Sequence, residues 1–218
     1  GYAWLIAELL GALEVRPAFI VGHSAGCAIA ARMCLDDLAR PRRIIGLNPA
    51  LLPFSGIARH AFPLMAKLLF VNPLAPRLLS WQARDGARVR RLIAGTGSDI
   101  GRNGLAFYQR LFESPRHVDA ALSMMANWDL ERLHRDLARL ACPLTMIVAT
   151  RDRMVSPQAA RAVRRIVAEA TVIPLPGLGH LAHEEDPECV AQWITRQAAL
   201  DGGGAEVRAQ SPHPSPPA

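Results

Sequence analysis

Residues 18–38 read Ala18-Phe19-Ile20-Val21-Gly22-His23-Ser24-Ala25-Gly26-Cys27-Ala28-Ile29-Ala30-Ala31-Arg32-Met33-Cys34-Leu35-Asp36-Asp37-Leu38, and this stretch decides the fold. Ala18 to Val21 is a short, wholly apolar run, which suits a strand buried on both faces of a parallel sheet. Cys27 to Leu38 reads as a helix rich in small residues. Between them lies G-x-S-x-G, in the strand–turn–helix context that a nucleophilic serine needs. The serine must sit on a sharp turn so that its hydroxyl stands clear above the sheet. Backbone strain of that kind costs ~1–3 kcal/mol. Side chains two residues to either side would crowd the turn, and Gly22 and Gly26 are expected to remove them. Ala28, Ala30 and Ala31 let the helix pack closely on the strands. The N–H of Ala25, at the helix start, points where negative charge would develop on a substrate oxygen. His23 is expected to support this elbow and not to carry protons. A phosphate cradle is the competing reading of such a turn, but the stretch has neither G-x-G-x-x-G nor Gly-Lys-Ser/Thr.

Outward from the elbow, the same alternation repeats. Leu5, Ile6, Leu9, Leu10 and Leu13 recur at helical spacing, so residues 2–13 form an amphipathic helix ended by Arg16-Pro17. Residues 43–47, 144–149 and 171–175 are further buried strands. Ser156 followed by Pro157 is a helix start signal between the last two, and a final helix runs over about 187–199. Strands alternating with helices define an α/β architecture with a mostly parallel sheet. The alternation is interrupted between about Asn48 and Leu140 by helical patterning with Pro53, Pro63, Pro73, Pro76 and Pro115. The organisation is therefore a first core part (1–48), a helical cap (49–140), a second core part (141–200) and a tail (201–218). That tail, with Gly202-Gly203-Gly204 and Ser211-Pro212-His213-Pro214-Ser215-Pro216-Pro217, cannot bury enough apolar area to offset its ordering entropy and should be disordered.

Two loops supply partners for the serine. Thr150-Arg151-Asp152-Arg153 leaves the end of a buried strand, where a carboxylate reaches the sheet's C-terminal edge. Its bland alternative is a solvated acid paired with Arg151 or Arg153. Pro176-Gly177-Leu178-Gly179-His180 follows the last strand and presents an imidazole at the same edge. His183, three residues on, is the competing base and is read as structural or exposed. A serine, then an acid, then a histidine is one of the known chain orders for acyl-transfer triads. Ser24, Asp152 and His180 are accordingly the expected nucleophile, orienting acid and general base.

The bulk properties fit a globular domain of 218 residues, half of them apolar and a fifth charged. The start lacks an initiator Met and a basic n-region, so it reads as an internal position of a longer chain. No apolar run approaches the ~20 residues that span a bilayer. Cys27, Cys34, Cys142 and Cys189 form no C-x-x-C pair, fitting reduced thiols in a cytoplasmic protein, and no metal site or cofactor is expected. The net charge is +6, with Lys67 the only lysine, and does not by itself imply nucleic acid. The excess sits in residues 59–116, with ten basic side chains against Asp85, Asp99 and Glu113. Arg84, Arg88, Arg90 and Arg91, with Phe62, Leu64, Met65, Leu68, Leu69 and Phe70 nearby, are the candidate substrate-binding group. They would suit an anionic, largely apolar small molecule or an anionic membrane surface, placing a cytoplasmic protein peripherally on a membrane.

The Val21–Gly26 elbow, the Asp152 loop, the His180 turn and Glu184-Glu185-Asp186-Pro187-Glu188 resemble the α/β-hydrolase superfamily over most of residues 1–200. The cap is more particular. Gly46-Leu47-Asn48-Pro49-Ala50-Leu51-Leu52-Pro53-Phe54, Phe62-Pro63-Leu64-Met65-Ala66-Lys67, and His117-Val118 with Met124-Met125-Ala126-Asn127-Trp128-Asp129-Leu130 resemble the magnesium-chelatase accessory proteins of bacteriochlorophyll biosynthesis. That resemblance implies a photosynthetic setting, a tetrapyrrole-like ligand and magnesium chelatase as a partner. Superfamily members carry about four strands ahead of the elbow, one of them bearing the loop with the second oxyanion N–H. Only 23 residues precede Ser24, so the N-terminal strands are expected to be missing. Two functions follow as expectations: ester-type acyl transfer to water, or a non-catalytic accessory protein that binds a tetrapyrrole or the chelatase on the same fold.

Overall fold

The computed structural model describes residues 1–53, 68–69, 72 and 74–200. Phe62, Leu64, Met65 and Phe70 of the cap, and the 201–218 tail, lie outside the described residues.

Four strands form one parallel sheet in sequential order: β1 (Phe19–His23), β2 (Arg43–Leu47), β3 (Leu144–Ala149) and β4 (Ala170–Leu175). Apolar residues at consecutive positions let β2 and β3 bury both faces. Ile44, Leu144, Met146 and Val148 face a core built with α2 (Ala25–Leu35), α7 (Leu130–Asp136), the short 3₁₀ turn Leu137–Arg139 and α8 (Pro157–Ile166). Ile45, Leu47, Ile147 and Ala149 face the other way, onto α9 (Ala182–Glu185) and α10 (Pro187–Leu200). Alternation with period two explains why neighbours in sequence belong to opposite layers. Ser156 caps α8, its hydroxyl accepting from Gln158 N, with Pro157 at the first position, as the sequence signal predicts.

β1 departs from the expectation of burial on both faces. Val21 is 46% exposed because β1 is the edge of the described sheet. For the same reason α1 (Tyr2–Ala12) does not bury its apolar stripe. Only Ala3 is buried, and Leu5, Leu9 and Leu13 are exposed, since α1 packs on α2 beside that edge. An apolar edge strand beside an apolar helix face is a template for association. This chain is therefore expected to aggregate. A monodisperse sample with a sharp thermal transition would contradict this.

Between β2 and β3 lie α3 (Ala75–Gln82), α4 (Gly86–Gly95), α5 (Arg102–Glu113), α6 (Pro115–Ala126) and α7. Asp85, Ser114 and Asp129 cap α4, α6 and α7 through their side chains. Val89, Ile93 and Ile100 form a small core with Ala83 and with Leu181 of the loop after β4. The helical segment is thus packed against the C-terminal ends of the strands.

Candidate active site

Ser24 sits between β1 and α2 with φ 50° and ψ −114°. A non-glycine residue at positive φ is strained, so the surroundings must hold it. Ser24 N donates to Leu47 O at 2.9 Å, and Ala50 N and Cys27 N donate to Ser24 O at 3.1 and 3.2 Å. The elbow is thereby fastened to the end of the neighbouring strand. Gly22 is required by contact, since a Cβ there would lie 2.5 Å from Cys27 N. Gly26 is not required in this way: a Cβ there meets nothing within 4 Å. The expected crowding thus applies on one side of the serine only, because Gly26 already lies on the free surface of α2's first turn. Ala25 opens α2, where backbone N–H groups have no intrahelical acceptor. A cavity of about 430 Å³ begins at Ala25 and runs past Met124 and Trp128 towards Tyr2 and Trp4.

The loops after β3 and β4 bring an acid and a base together. Asp152, its side chain fully buried, accepts from His180 Nδ1 through Oδ2 at 2.8 Å. Its other oxygen accepts from Met154 N and Val155 N at 2.8 and 2.9 Å. Three donors compensate the desolvated carboxylate. With Nδ1–H committed to Asp152, the neutral imidazole presents Nε2 as an acceptor. Arg151 donates instead to Gly177 O at 3.1 Å.

What holds His180 was not legible as a motif. Asn48, 2% exposed and at φ 45°, caps the end of β2. Its Nδ2 donates to Gly179 O at 3.0 Å and His180 O at 2.8 Å, while its Oδ1 accepts from Ala149 N at 2.7 Å. His23 Nε2 donates to the same His180 O at 2.9 Å. Cap residues 96–98 thread between the acid and base loops. Arg153 N and His180 N donate to Thr96 O, and Leu181 N donates to Ser98 Oγ. Gly97 and Gly179 touch there, and a Cβ on Gly179 would lie 2.3 Å from Gly97 C. Glu185 ties the turn from below, accepting from Gly179 N at 2.7 Å and Asp99 N at 3.2 Å. Only a run of glycines beside a histidine hinted at this close approach.

Three imidazoles cluster in the site, with the His23 ring tilted by about 50° to each of the other two. His23 lies 4.7 Å from His180 and 4.5 Å from His183, ring centre to ring centre. Burial first, then the neighbouring His180, lowers the His23 pKa to about 4. Burial also lowers that of His183, opposed by Glu184. An unfolded histidine titrates near 6.5. Between about pH 6.5 and 4 the unfolded chain therefore binds more protons, and stability must fall as pH falls through that window. His23 alone accounts for up to about 3 kcal/mol. We expect the urea midpoint to drop steeply from pH 7 to 4.5, and less so in His23→Gln, which keeps a donor for His180 O. An equal drop in both would show that another group governs the acid limb.

The four arginines of the candidate binding group are all exposed. Arg88 pairs with Asp85 at 3.4 Å, and Arg91 Nε donates to Ala87 O at 3.3 Å. Arg84 precedes α4, and helical phase puts Arg88 and Arg90 on nearly opposite sides of it. Arg90 lines a separate cavity of about 520 Å³ with Arg102, Ser98 and Asp99. The four do not converge on one ligand among the described residues.

A strained serine elbow, a buried acid–imidazole pair at the sheet's C-terminal edge and helices packed over that edge define a hydrolase-type α/β scaffold. The chain belongs to the alpha/beta hydrolase family, whose sequence pattern matches residues 2–193. It is 39% identical over 172 residues, 79% of the chain, to the magnesium-chelatase 30 kDa subunit of Rhodobacter capsulatus, and spans 60% of that relative's length. It is 22% identical over 193 residues to the uncharacterized hydrolase YugF of Bacillus subtilis, covering 88% of the chain and 69% of YugF. Solved structures share the fold. An alpha/beta hydrolase fold protein from Burkholderia ambifaria superposes with a TM-score of 0.72 at 18% identity, covering 89% of the chain and 71% of that protein. An esterase from Exiguobacterium antarcticum gives 0.70 at 13%, covering 90% and 72%.

Proposed function

We propose that the chain carries the catalytic residues of a serine hydrolase, which transfers an acyl group from an ester to water. Ser24 Oγ attacks the carbonyl carbon as its proton passes to His180 Nε2, while Asp152 holds the imidazole and stabilises its charged form. The oxyanion is met by Ala25 N–H. His180 returns the proton to the departing alcohol, then takes one from the water that attacks the acyl-enzyme and passes it to Ser24 Oγ as the acid leaves. The reaction needs no metal or organic cofactor. The observation that carries this reading is the strained Ser24 turn on the same sheet edge as the 2.8 Å His180–Asp152 pair. The relative named a magnesium-chelatase 30 kDa subunit supports a role beside magnesium chelation. On this reading the chain acts in the cytoplasm, in bacteriochlorophyll biosynthesis, on a tetrapyrrole-like substrate. The test is a fluorophosphonate probe on the full-length protein. Labelling lost in Ser24→Ala supports the hydrolase.

A second reading is favoured by that relative's description as a chelatase subunit. The fold would then serve as a non-catalytic accessory protein holding a tetrapyrrole or the chelatase. Absence of labelling, with retained binding to chelatase subunits, would select it.

A further inference from the structure

We propose that the outer face of α3 is a docking surface for an anionic lipid membrane. Leu74, Arg77, Leu78, Trp81 and Arg84 follow one another at spacings of three, one, three and three, which places all five on a single face of α3 and its flanking turns. The face is open: Leu74 is 63%, Leu78 53% and Trp81 61% exposed, and Arg77 and Arg84 are exposed between them. The opposite side of the helix is spoken for, since Ala75, Pro76 and Ser80 are buried where α3 packs against α5 and α6. Large apolar side chains held out into water by a helix whose other face is buried call for an explanation.

The pairing of residue types selects the occupant. Trp and Leu project between two guanidinium groups, and no acidic residue shares the stripe. Asp85, which follows Arg84 in the sequence, pairs with Arg88. At a lipid–water boundary the Trp ring and the Leu side chains enter the acyl border, while arginine stems lie along it and their heads reach phosphate. Neighbouring α5 repeats the pattern with exposed Phe107, Arg110 and Leu111. The ten-to-three excess of basic over acidic side chains in residues 59–116 supplies the attraction to an anionic surface. No described helix is long and apolar enough to cross a membrane, so the contact is peripheral.

The experiment is co-sedimentation of the full-length protein with vesicles of phosphatidylcholine alone and with a quarter phosphatidylglycerol. The expected result is binding to the anionic vesicles only, weakened by salt. Leu78→Ser/Trp81→Ser and Arg77→Gln/Arg84→Gln should each lower the partition coefficient at least tenfold. Arg161→Gln/Arg164→Gln, which removes the same charge from exposed positions of α8, should keep it. All substituted positions are exposed, and an unchanged thermal midpoint confirms that each variant folds. Equal binding by wild type and α3 variants, an equal loss in the α8 variant, or no binding to either vesicle would overturn the proposal.

Discussion

Ser24→Ala and His180→Ala are each expected to lower ester hydrolysis by the full-length protein by about 10⁴–10⁶-fold, with KM little changed. The magnitude follows from residues that act as a unit: removing either leaves only binding and oxyanion stabilisation. Asp152→Asn should cost on the order of 10³–10⁴, because an amide in its place no longer fixes the imidazole tautomer or stabilises its charged form. His183→Ala is the informative control. Its Nε2 lies 3.7 Å from Glu184 Oε1, and its ring packs on His23, not on Asp152. Its loss should act through His23 packing and cost at most about tenfold, since no triad contact is removed. The rates are read with p-nitrophenyl esters of short acids. If His183→Ala is as damaging as His180→Ala, the general base has been misassigned.

The parts of the site that can be read from sequence are those set by contiguous residues. The elbow needs a glycine before the serine and small residues after it, and the strand on one side and helix on the other announce themselves by composition. The acid and base loops each follow a recognisable apolar strand. The supports cannot be read in this way, because they pair residues far apart in the chain. Asn48 meets the His180 turn from 132 positions away, and Ser98 meets Leu181 from 83. Asn48 falls within the Gly46–Phe54 stretch that carries the family resemblance, and nothing in that stretch announces that its side chain joins two strand ends to a loop. The arginine group shows another limit: a count of charges along the chain carries no helical phase, and phase separates Arg90 from Arg88 on α4. Likewise, the apolar spacing of α1 correctly gives a helix but cannot say whether anything covers its stripe.

Asn48 supplies the second large effect. Asn48→Ala removes two donors from the Gly179 and His180 carbonyls and one acceptor from Ala149 N, all in a buried site. Buried partners left unsatisfied cost about 1–3 kcal/mol each, so a loss of about 3 kcal/mol of stability is a conservative expectation. The effect on rate should be larger than stability alone explains. Among the described residues, His180 O would be left with His23 Nε2 as its one side-chain donor, and the backbone that carries the imidazole would be less firmly fixed. A drop of about 10²-fold in kcat with KM within twofold is expected, since misplacement of a catalytic group by about 1 Å has that consequence. Strain and hydrogen bonding can be separated here, because φ at Asn48 is 45°. Alanine pays for that conformation and glycine does not. Asn48→Gly should therefore recover part of the stability lost in Asn48→Ala and none of the rate. The pH dependence of fluorophosphonate labelling is the deciding measurement. A shifted profile in both variants places Asn48 as a positioning residue for His180, whereas full recovery of labelling in Asn48→Gly would reduce its role to backbone conformation.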